Sequence, residues 1–398
     1  MRPRSRHSRS EHVIDMRLPQ LETADLYTDR LTGELQGMRL LVDHAARRIF
    51  ARNFGAARSL DRLQVLGSAT SAGSDVQAIT ASNFRRGLLD YLASTGRVVI
   101  GSEGQVRIAP DLPVTPLEAQ HERALIASDE RFAAIAELLG IFEERSGKLL
   151  QGVDGARVLG EKLGLNALQS MWERQTLTMP HRSIERALTA RTLLERMRRQ
   201  ESQLTVLEAG AGIGAVLRRA LEMPEFIARL DALDRYIYTD ISPFLVEWAR
   251  EWFRNNAPAQ LTRRMEFRVL DLDRLNTASV AEAGAIDLVL LDDVAHDVID
   301  LHATLSALRS VLRESGWLAF TEQFRQPPRE FLHLEIFAMT LHSYNKARIE
   351  PGRRSTHGFL TLEEWRAALL AAGFTQMQIY PKPEDQHRWP VGGIVAAR

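Results

Sequence analysis

The chain has 398 residues, with 51 lysine and arginine and 51 aspartate and glutamate side chains, so its formal net charge at pH 7 is zero. Balanced charge argues against a protein that binds nucleic acids or membrane surfaces, and no apolar run is long enough to span a bilayer. The absence of cysteine excludes disulfides and cysteine-ligated zinc. We therefore expect a cytoplasmic globular protein that needs no metal ion.

The first 30 residues open with a basic stretch, Met-Arg-Pro-Arg-Ser-Arg-His-Ser-Arg. No apolar segment follows it, so it does not have the pattern of a secretory signal. We expect residues 1–30 to form a disordered tail.

A helix followed by a short hairpin is predicted next. Residues 34–54 have apolar side chains at helical spacing, and Arg85–Leu92 indicates a second helix. Two short strands, Arg97–Ile100 and Gln105–Ile108, flank a glycine-containing turn. This order is typical of a winged helix, and the hairpin lacks a dense basic stripe. A lid or dimer surface is therefore favoured over DNA binding, and a homodimer stays open.

Helical segments fill most of the region between the hairpin and residue 200. Leu117–Ser146 and Met171–Arg199 predict helices, and Gly152–Gly164 predicts a loop-rich connection. We place a helical, winged-helix-like lid or dimerisation domain at 31–165 and a second domain at 166–398.

Residues 204–214 carry the most informative pattern. A short apolar run ends in Glu208 and is followed by Gly210, Gly212 and Gly214. A dinucleotide site has the spacing G-x-G-x-x-G, with its acidic residue about twenty positions later. Here the acid comes first and the third glycine comes one residue early. The pattern is typical of class I S-adenosylmethionine (SAM) methyltransferases, since an acid at the strand end suits a cationic amine.

Strands and helices alternate through the rest of the chain, which predicts a doubly wound, seven-stranded α/β sheet with ligands at its carboxyl edge. The further strands expected are Tyr236–Thr239, Met265–Leu270, Ile286–Leu291, Trp317–Thr321, Gln376–Tyr380 and Gly393–Ala396. An insertion at 323–358 is expected on the substrate side.

Acidic residues follow several of these strands. Asp240 is placed to accept ribose hydroxyls, and Asp271 with Leu272 is placed to meet the adenine amino group and ring. Glu208 and Asp293 are placed to offset the positive charge of the cofactor. The predicted cofactor-binding residues are Glu208, Gly210, Gly212, Gly214, Asp240, Ile241, Asp271, Leu272 and Asp293.

The chain resembles the C-methyltransferase domains of polyketide synthases from about residue 80 onward. The likeness rests on Glu208-Ala-Gly-Ala-Gly-Ile-Gly, Tyr238-Thr-Asp-Ile-Ser-Pro-Phe-Leu, Leu270-Asp-Leu-Asp, His296-Asp-Val-Ile-Asp-Leu-His-Ala-Thr-Leu and Gly316-Trp-Leu-Ala-Phe-Thr-Glu. The resemblance implies methyl transfer from SAM to the α-carbon of a β-ketoacyl thioester held on an acyl carrier protein. It also implies a histidine base with a glutamate behind it, which correspond to His296 and Glu322.

The same pair is favoured by its chemistry. Imidazole titrates near neutral pH, and a carboxylate that holds one ring nitrogen leaves the other free to take a proton. His296 and Glu322 follow or end strands predicted to be neighbours. His302 lies one turn into the next helix, and we expect it to be structural.

The acceptor side departs from the family pattern. A tyrosine and an asparagine are typical before the glycines, where this chain has Trp172, His181 and Ser183. The predicted substrate residues are Trp172, His181, Tyr344, Asn345 and His357. The acceptor is expected to be a small molecule, free or carrier-bound. A small-molecule O-methyltransferase and a ligand-sensing winged-helix regulator are the alternative functions.

Overall fold

A computed structural model describes residues 18–55, 59–66, 75–199, 203–275, 284–326 and 335–398. Its strands are β1 Ser59–Asp61, β2 Val98–Ile100, β3 Gln105–Ile108, β4 Leu204–Ala209, β5 Leu233–Asp240, β6 Met265–Val269, β7 Ile286–Asp292, β8 Leu312–Gln323, β9 Gln376–Tyr380 and β10 Val391–Ala397.

The amino-terminal helices are α1 Asp29–Phe54, α2 Arg62–Leu66, α3 Val76–Ser94, α4 Pro116–Ser128, α5 Glu130–Glu144, α6 Ser146–Leu150, α7 Gly155–Leu163, α8 Leu165–Thr178 and α9 Pro180–Arg199. Those after β4 are α10 Ala215–Leu221, α11 Pro224–Ala228, α12 Pro243–Asn256, α13 Ala259–Thr262, α14 Leu301–Val311, α15 Glu335–Ala338, α16 His342–Asn345 and α17 Leu362–Ala371. Across the described ranges, every helix is too short or too polar to span a bilayer.

The large sheet has the strand order β6-β5-β4-β7-β8-β10-β9. Strands β4 to β8 pair in parallel, and β10 runs antiparallel to both of its neighbours. Both faces are covered, because Val206 of β4 packs into one apolar core and Leu207 packs into the other. The predicted doubly wound, seven-stranded class I fold is confirmed, and the carboxyl ends of β4, β5 and β7 meet at one edge.

The predicted winged-helix-like region is also confirmed. The small sheet has the order β1-β3-β2, and the elements follow along the chain as α1, β1, α2, α3, β2 and β3. The sequence pattern missed β1 and α2, which have 3 and 5 residues. Elements of this length are too short for hydrophobic periodicity to mark them.

Two local predictions are corrected. Gly152–Gly164 is not mainly loop, because α7 occupies Gly155–Leu163, with Asp154 accepting from the Ala156 N–H at its start. The predicted helical region Met171–Arg199 is divided in two. Met179 adopts extended backbone before Pro180, as residues before proline tend to do.

Part of the expected disordered tail is ordered. Residues 1–17 lie outside the described residues, whereas Leu21 and Tyr27 bond to the large sheet. The Leu21 N–H donates to the Tyr380 hydroxyl at 3.0 Å, and the Tyr27 hydroxyl donates to the Val391 carbonyl at 3.2 Å. Apolar side chains in this segment pack on the main core, which explains why it is held.

The insertion is anchored at the carboxyl edge of the large sheet. Residues 327–334 lie outside the described residues. Arg354 is 1% exposed and donates to the carbonyls of Val298 at 2.8 Å and His296. Lys346 bonds to Asp273 at 2.6 Å. The insertion therefore packs directly against the loop that carries His296.

Gly358 lies where this packing is tightest. It has a φ of 70°, and an added Cβ would overlap the Tyr344 ring, whereas Gly352 has a φ of 82° and open space around it. Alanine at either position should cost about 1–2 kcal/mol in backbone strain. Gly358→Ala should lower the free energy of unfolding by about 2 kcal/mol more, because of overpacking. Urea unfolding of both variants measures the difference, and equal losses would contradict the packing described.

Candidate functional site

The glycine loop leads from β4 into α10. Gly210, Gly212 and Gly214 have φ values of 68°, 58° and 75°, which disfavour other residues. An added Cβ would lie 2.6 Å from Val294 at Gly210 and 2.6 Å from Phe253 at Gly214. At Gly212 it would meet open space. Two of the glycines therefore serve packing, and Gly212 leaves its peptide plane accessible to a ligand.

Asp240, at the end of β5, is fixed by the backbone of this loop. Its carboxylate accepts from the N–H groups of Gly212 at 2.9 Å and Ser242 at 2.8 Å. Burial raises the pKa of Asp240, and these two hydrogen bonds oppose the rise. Each carboxylate oxygen has a second lone pair, so the group can still accept from a hydroxyl.

Glu208, at the end of β4, has one oxygen satisfied and one not. The Tyr236 hydroxyl donates to Oε2 at 2.6 Å, while the buried Oε1 has no hydrogen-bond partner. Burial raises the pKa of Glu208 to about 8. A buried acceptor without a donor costs about 1–3 kcal/mol, so this oxygen favours a ligand that brings a donor or a positive charge.

The side chains predicted to meet adenine, Asp271 and Leu272, lie after β6. Asp271 accepts from the Asp273 N–H at 3.0 Å and thereby caps a short 3-10 turn at Leu272–Arg274. Ile241 is 57% exposed, while Leu272 is half-buried. An apolar surface beside Asp240 is suited to cover one face of a planar ring.

His296 and Glu322 lie in direct contact. The His296 Nδ1 is 2.8 Å from Glu322 Oε2, and the His296 backbone N–H donates to Oε1 at 3.1 Å. Glu322 is fully buried in β8. Its two oxygens bond to the ring and to the backbone of His296, and together they fix the orientation of the imidazole. His296 Nε2 is the nitrogen that Glu322 leaves free, and it lies 3.5 Å from Asp297 Oδ1.

The charge of this pair is set by opposing effects. Burial alone would lower the pKa of His296, but the nearby carboxylates of Glu322, Asp297 and Asp293 raise it to about 10. The imidazole therefore holds a proton at neutral pH unless another positive charge enters the site.

An arginine that sequence reasoning missed joins this group. Arg182 in α9 bonds to Asp293 at 2.7 Å, Asp292 at 3.0 Å and Glu185 at 2.6 Å. The only sequence signal was its position next to His181. Burial raises the pKa of Asp293 to about 6, and Arg182 opposes the rise. Asp293, His296 and Glu322 also have ligand atoms within 4.8 Å of one another, so the absence of a metal stays a prediction.

The predicted substrate residues are distributed over two regions. Trp172 is 45% exposed on α8, and His181 is buried at the start of α9. Tyr344, Asn345 and His357 line a cavity of about 580 Å³ between α3 and the insertion. The structure therefore brings the last three together around one cavity, which Trp172 and His181 do not line.

Two of the cavity residues have their polar atoms bonded within the protein. The Tyr344 hydroxyl donates to Glu335 and accepts from the Phe359 N–H at 3.0 Å, and its ring centroid lies 5.8 Å from that of His296. Asn345 accepts from Asn83 at 2.7 Å and donates to two carbonyls. Burial, then Arg354, lowers the pKa of His357, which favours its neutral form.

The edge of the sheet fits SAM, whose sulfonium and amino groups are cationic. Glu208 Oε1 and Asp293 Oδ1 are buried acceptors without hydrogen-bond partners. Gly212 offers open space, and Asp240 retains lone pairs for hydroxyls. These residues could hold the cofactor without displacing a bond already made.

Residues 181–379 match the model of a family described as a methyltransferase domain. The polyketide synthase component of lovastatin nonaketide synthase from Aspergillus terreus is 29% identical over 202 residues, which are 50% of this chain and 6% of that protein. Methyltransferase calH from Penicillium decumbens is 32% identical over 184 residues, 46% of this chain and 47% of that one. The matches thus span less than half of each relative.

Solved structures share the fold. The DszA carbon methyltransferase has a TM-score of 0.75 at 20% identity, with 100% of this chain and 99% of that chain covered. The CurJ carbon methyltransferase has a TM-score of 0.73 at 19% identity, with 94% and 95% covered. A complex of the trans-methyltransferase CalH with S-adenosylhomocysteine (SAH) has a TM-score of 0.55 at 17% identity, with 96% and 93% covered.

Gly212→Val should weaken SAM binding about tenfold or more, because its side chain fills space that the ligand needs. Gly284→Val is the matched control, since Gly284 also has a positive φ, 73°, and open space around it, but it precedes β7 at the other edge of the sheet. Isothermal titration calorimetry measures both. Unchanged affinity in the Gly212 variant would remove this loop from the binding site.

Proposed function

The chain belongs to the methyltransferase domain family and is a SAM-dependent methyltransferase, and we propose that it methylates an activated α-carbon in polyketide-type metabolism. The proposed acceptor is a β-ketoacyl thioester or a related small molecule, free or held on an acyl carrier protein. His296 acts as the general base and Glu322 orients it. The relatives named above support the class of chemistry, and the contact between these two side chains carries the proposal.

The bond from Glu322 fixes which nitrogen reacts. Glu322 Oε2 holds Nδ1 as an N–H, so Nε2 is the atom that accepts the α-proton. When bound, SAM supplies an electrophilic methyl group. Removal of the α-proton leaves an electron pair on carbon, which forms the new carbon–carbon bond as the sulfur–methyl bond breaks. A carbon flanked by two carbonyls suits this base because its proton is already acidic.

The raised pKa of His296 links deprotonation to cofactor binding. The carboxylates that hold a proton on the imidazole also attract any other cation that enters the site. A second positive charge nearby lowers the pKa of His296 by repulsion. His296 is therefore converted to the free base most readily when a sulfonium is bound, which restricts proton abstraction to the complex that can use it.

The cavity between α3 and the insertion supplies room for the acceptor. One wall consists of residues on one face of α3, namely Asn83, Arg86, Gly87, Asp90 and Ser94. Tyr344 lies on the opposite wall, next to His296. A polar wall on α3 suits an acceptor with carbonyl or amide groups, and the winged-helix-like region then acts as a lid over the methyl-transfer site.

His296→Ala should retain SAM binding while the rate of methyl transfer to a β-ketoacyl thioester falls about 10²–10⁴-fold, the usual contribution of a general base. His302→Ala is the control, because His302 lies in α14, which follows the His296 loop in the chain, and it is expected to be structural. Mass spectrometry of the product measures the rate, and calorimetry measures binding. A near-wild-type rate for the His296 variant would remove it as the base.

The pKa of His296 should be near 10 in the free protein and should fall when SAM binds. SAH has no positive charge on sulfur, so it should lower the pKa less. Titration of the imidazole by nuclear magnetic resonance, with His296→Ala used to assign the signal, measures all three states. An equal shift with SAM and SAH would contradict the proposed coupling.

A further inference from the structure

Asp293 has a backbone conformation that is uncommon for residues other than glycine. Its φ of 55° lies in the left-handed region, and in the described part of the chain it is the sole residue other than glycine with a positive φ. Such a conformation costs free energy and persists only where surrounding contacts enforce it. The Asp293 N–H is tied to the Thr321 carbonyl at 3.0 Å, so the neighbouring strand holds one side of this residue.

Arg182 holds the other side. Its Nη1 lies 2.7 Å from Asp293 Oδ2, and its Nη2 lies 3.0 Å from Oδ2 of the preceding Asp292. Asp292 is itself held by the Thr321 hydroxyl at 2.7 Å. One planar guanidinium thus binds two consecutive carboxylates, and its Nη1 also bonds to Glu185 Oε2 of the same helix at 2.6 Å. A flexible ammonium group does not reproduce this arrangement.

The other Asp293 oxygen has no such bond. Oδ1 is buried without a hydrogen-bond partner and lies 3.8 Å from His296 Nδ1. The contacts of Arg182 leave this oxygen facing the histidine and the space beside it. A free carboxylate oxygen in a buried, acid-rich site is a binding group for a cation.

We propose that Arg182 is a positioning residue: it fixes Asp293 in the left-handed conformation and so presents Oδ1 to the cationic part of the cofactor beside His296. The proposed role of Arg182 concerns the binding of the cofactor. It rests on the proposed function only in that the cofactor is placed beside His296. Arg182 acts through Asp293 and needs no contact with the acceptor.

The next turn of the same helix provides a matched control. Arg186 is 8% exposed and donates to neutral groups, the carbonyls of Arg182 and Leu177 and the Ser183 hydroxyl. Arg186→Gln therefore removes a similar side chain from α9 without breaking a bond to Asp293.

The test compares the binding of SAM and SAH, which differ in the positive charge on sulfur. Without Arg182, Asp293 loses both its fixed orientation and the cation that favours its ionised form. We expect Arg182→Gln to weaken SAM binding about tenfold and SAH binding about threefold or less, and Arg186→Gln to leave the SAM-to-SAH ratio unchanged. Arg182→Lys should recover part of the ratio, because it keeps the charge but not the planar fork.

Two further measurements distinguish a positioning role of Arg182 from a loss of the native fold in the variant. The loss of SAM affinity in Arg182→Gln should be larger at pH 6.5 than at pH 8.5, since Asp293 ionises again at the higher pH. Asp293→Asn should reproduce the loss, and the double variant should lose little more than either single variant. Additive losses would overturn the proposal.

An increased preference for SAM in Arg182→Gln would also overturn it, because Arg182 would then act only as a repelling positive charge. All these measurements omit the acceptor. Their results therefore test the role of Arg182 independently of whether the protein methylates carbon.

Discussion

Carboxylates buried at the carboxyl ends of adjacent strands are the constraint on which this site depends. Burial of a charge is costly unless a partner compensates it. Asp240 is compensated by backbone N–H groups, Glu322 by His296 and Asp293 by Arg182, whereas Glu208 has only the Tyr236 hydroxyl. Glu208 Oε1 and Asp293 Oδ1 keep no hydrogen-bond partner, so this edge of the sheet is suited to a ligand that brings a donor or a positive charge.

The parallel sheet is what brings these groups together. Because β4, β5, β7 and β8 are adjacent, side chains far apart in sequence reach a common edge. The insertion then packs against the loop that carries His296. Arg354 binds the carbonyls of the His296 loop, and Tyr344 and Phe359 pack against the imidazole. The imidazole of His296 thus lies between the buried acidic side chains of the sheet edge and the aromatic rings of the insertion.

Much of this arrangement could be predicted from the sequence, because it depends on regular patterns. The apolar runs of β4 and β7 and the glycines after Glu208 predicted the sheet and its ligand edge. Local capping could not be read in the same way, as α7 shows: its flanking glycines suggested a loop, but the Asp154 cap and buried Val158 form a helix. Leu21 and Tyr27 were missed because their partners, Tyr380 and Val391, lie at the other end of the chain.

The charge network was beyond sequence reasoning for a different reason. Arg182 lies in a helix rich in arginine, and only its position next to His181 distinguishes it locally from Arg186. Only the packing of α9 against β7 brings Arg182 to Asp292 and Asp293. The raised pKa of His296 likewise depends on the fold, which brings Glu322 to the ring beside Asp293 and Asp297, whereas the sequence alone predicted an imidazole that titrates near neutral pH.

The position of the transferred methyl group tests the central claim most directly. The protein would be incubated with SAM carrying a ¹³C-labelled methyl group and with β-ketoacyl thioesters, free and carrier-bound, alongside phenols. Nuclear magnetic resonance of the product locates the label. Carbon methylation predicts the label on the carbon between the two carbonyls. A label on oxygen, in an enol ether or a methylated phenol, would contradict the account and identify an O-methyltransferase.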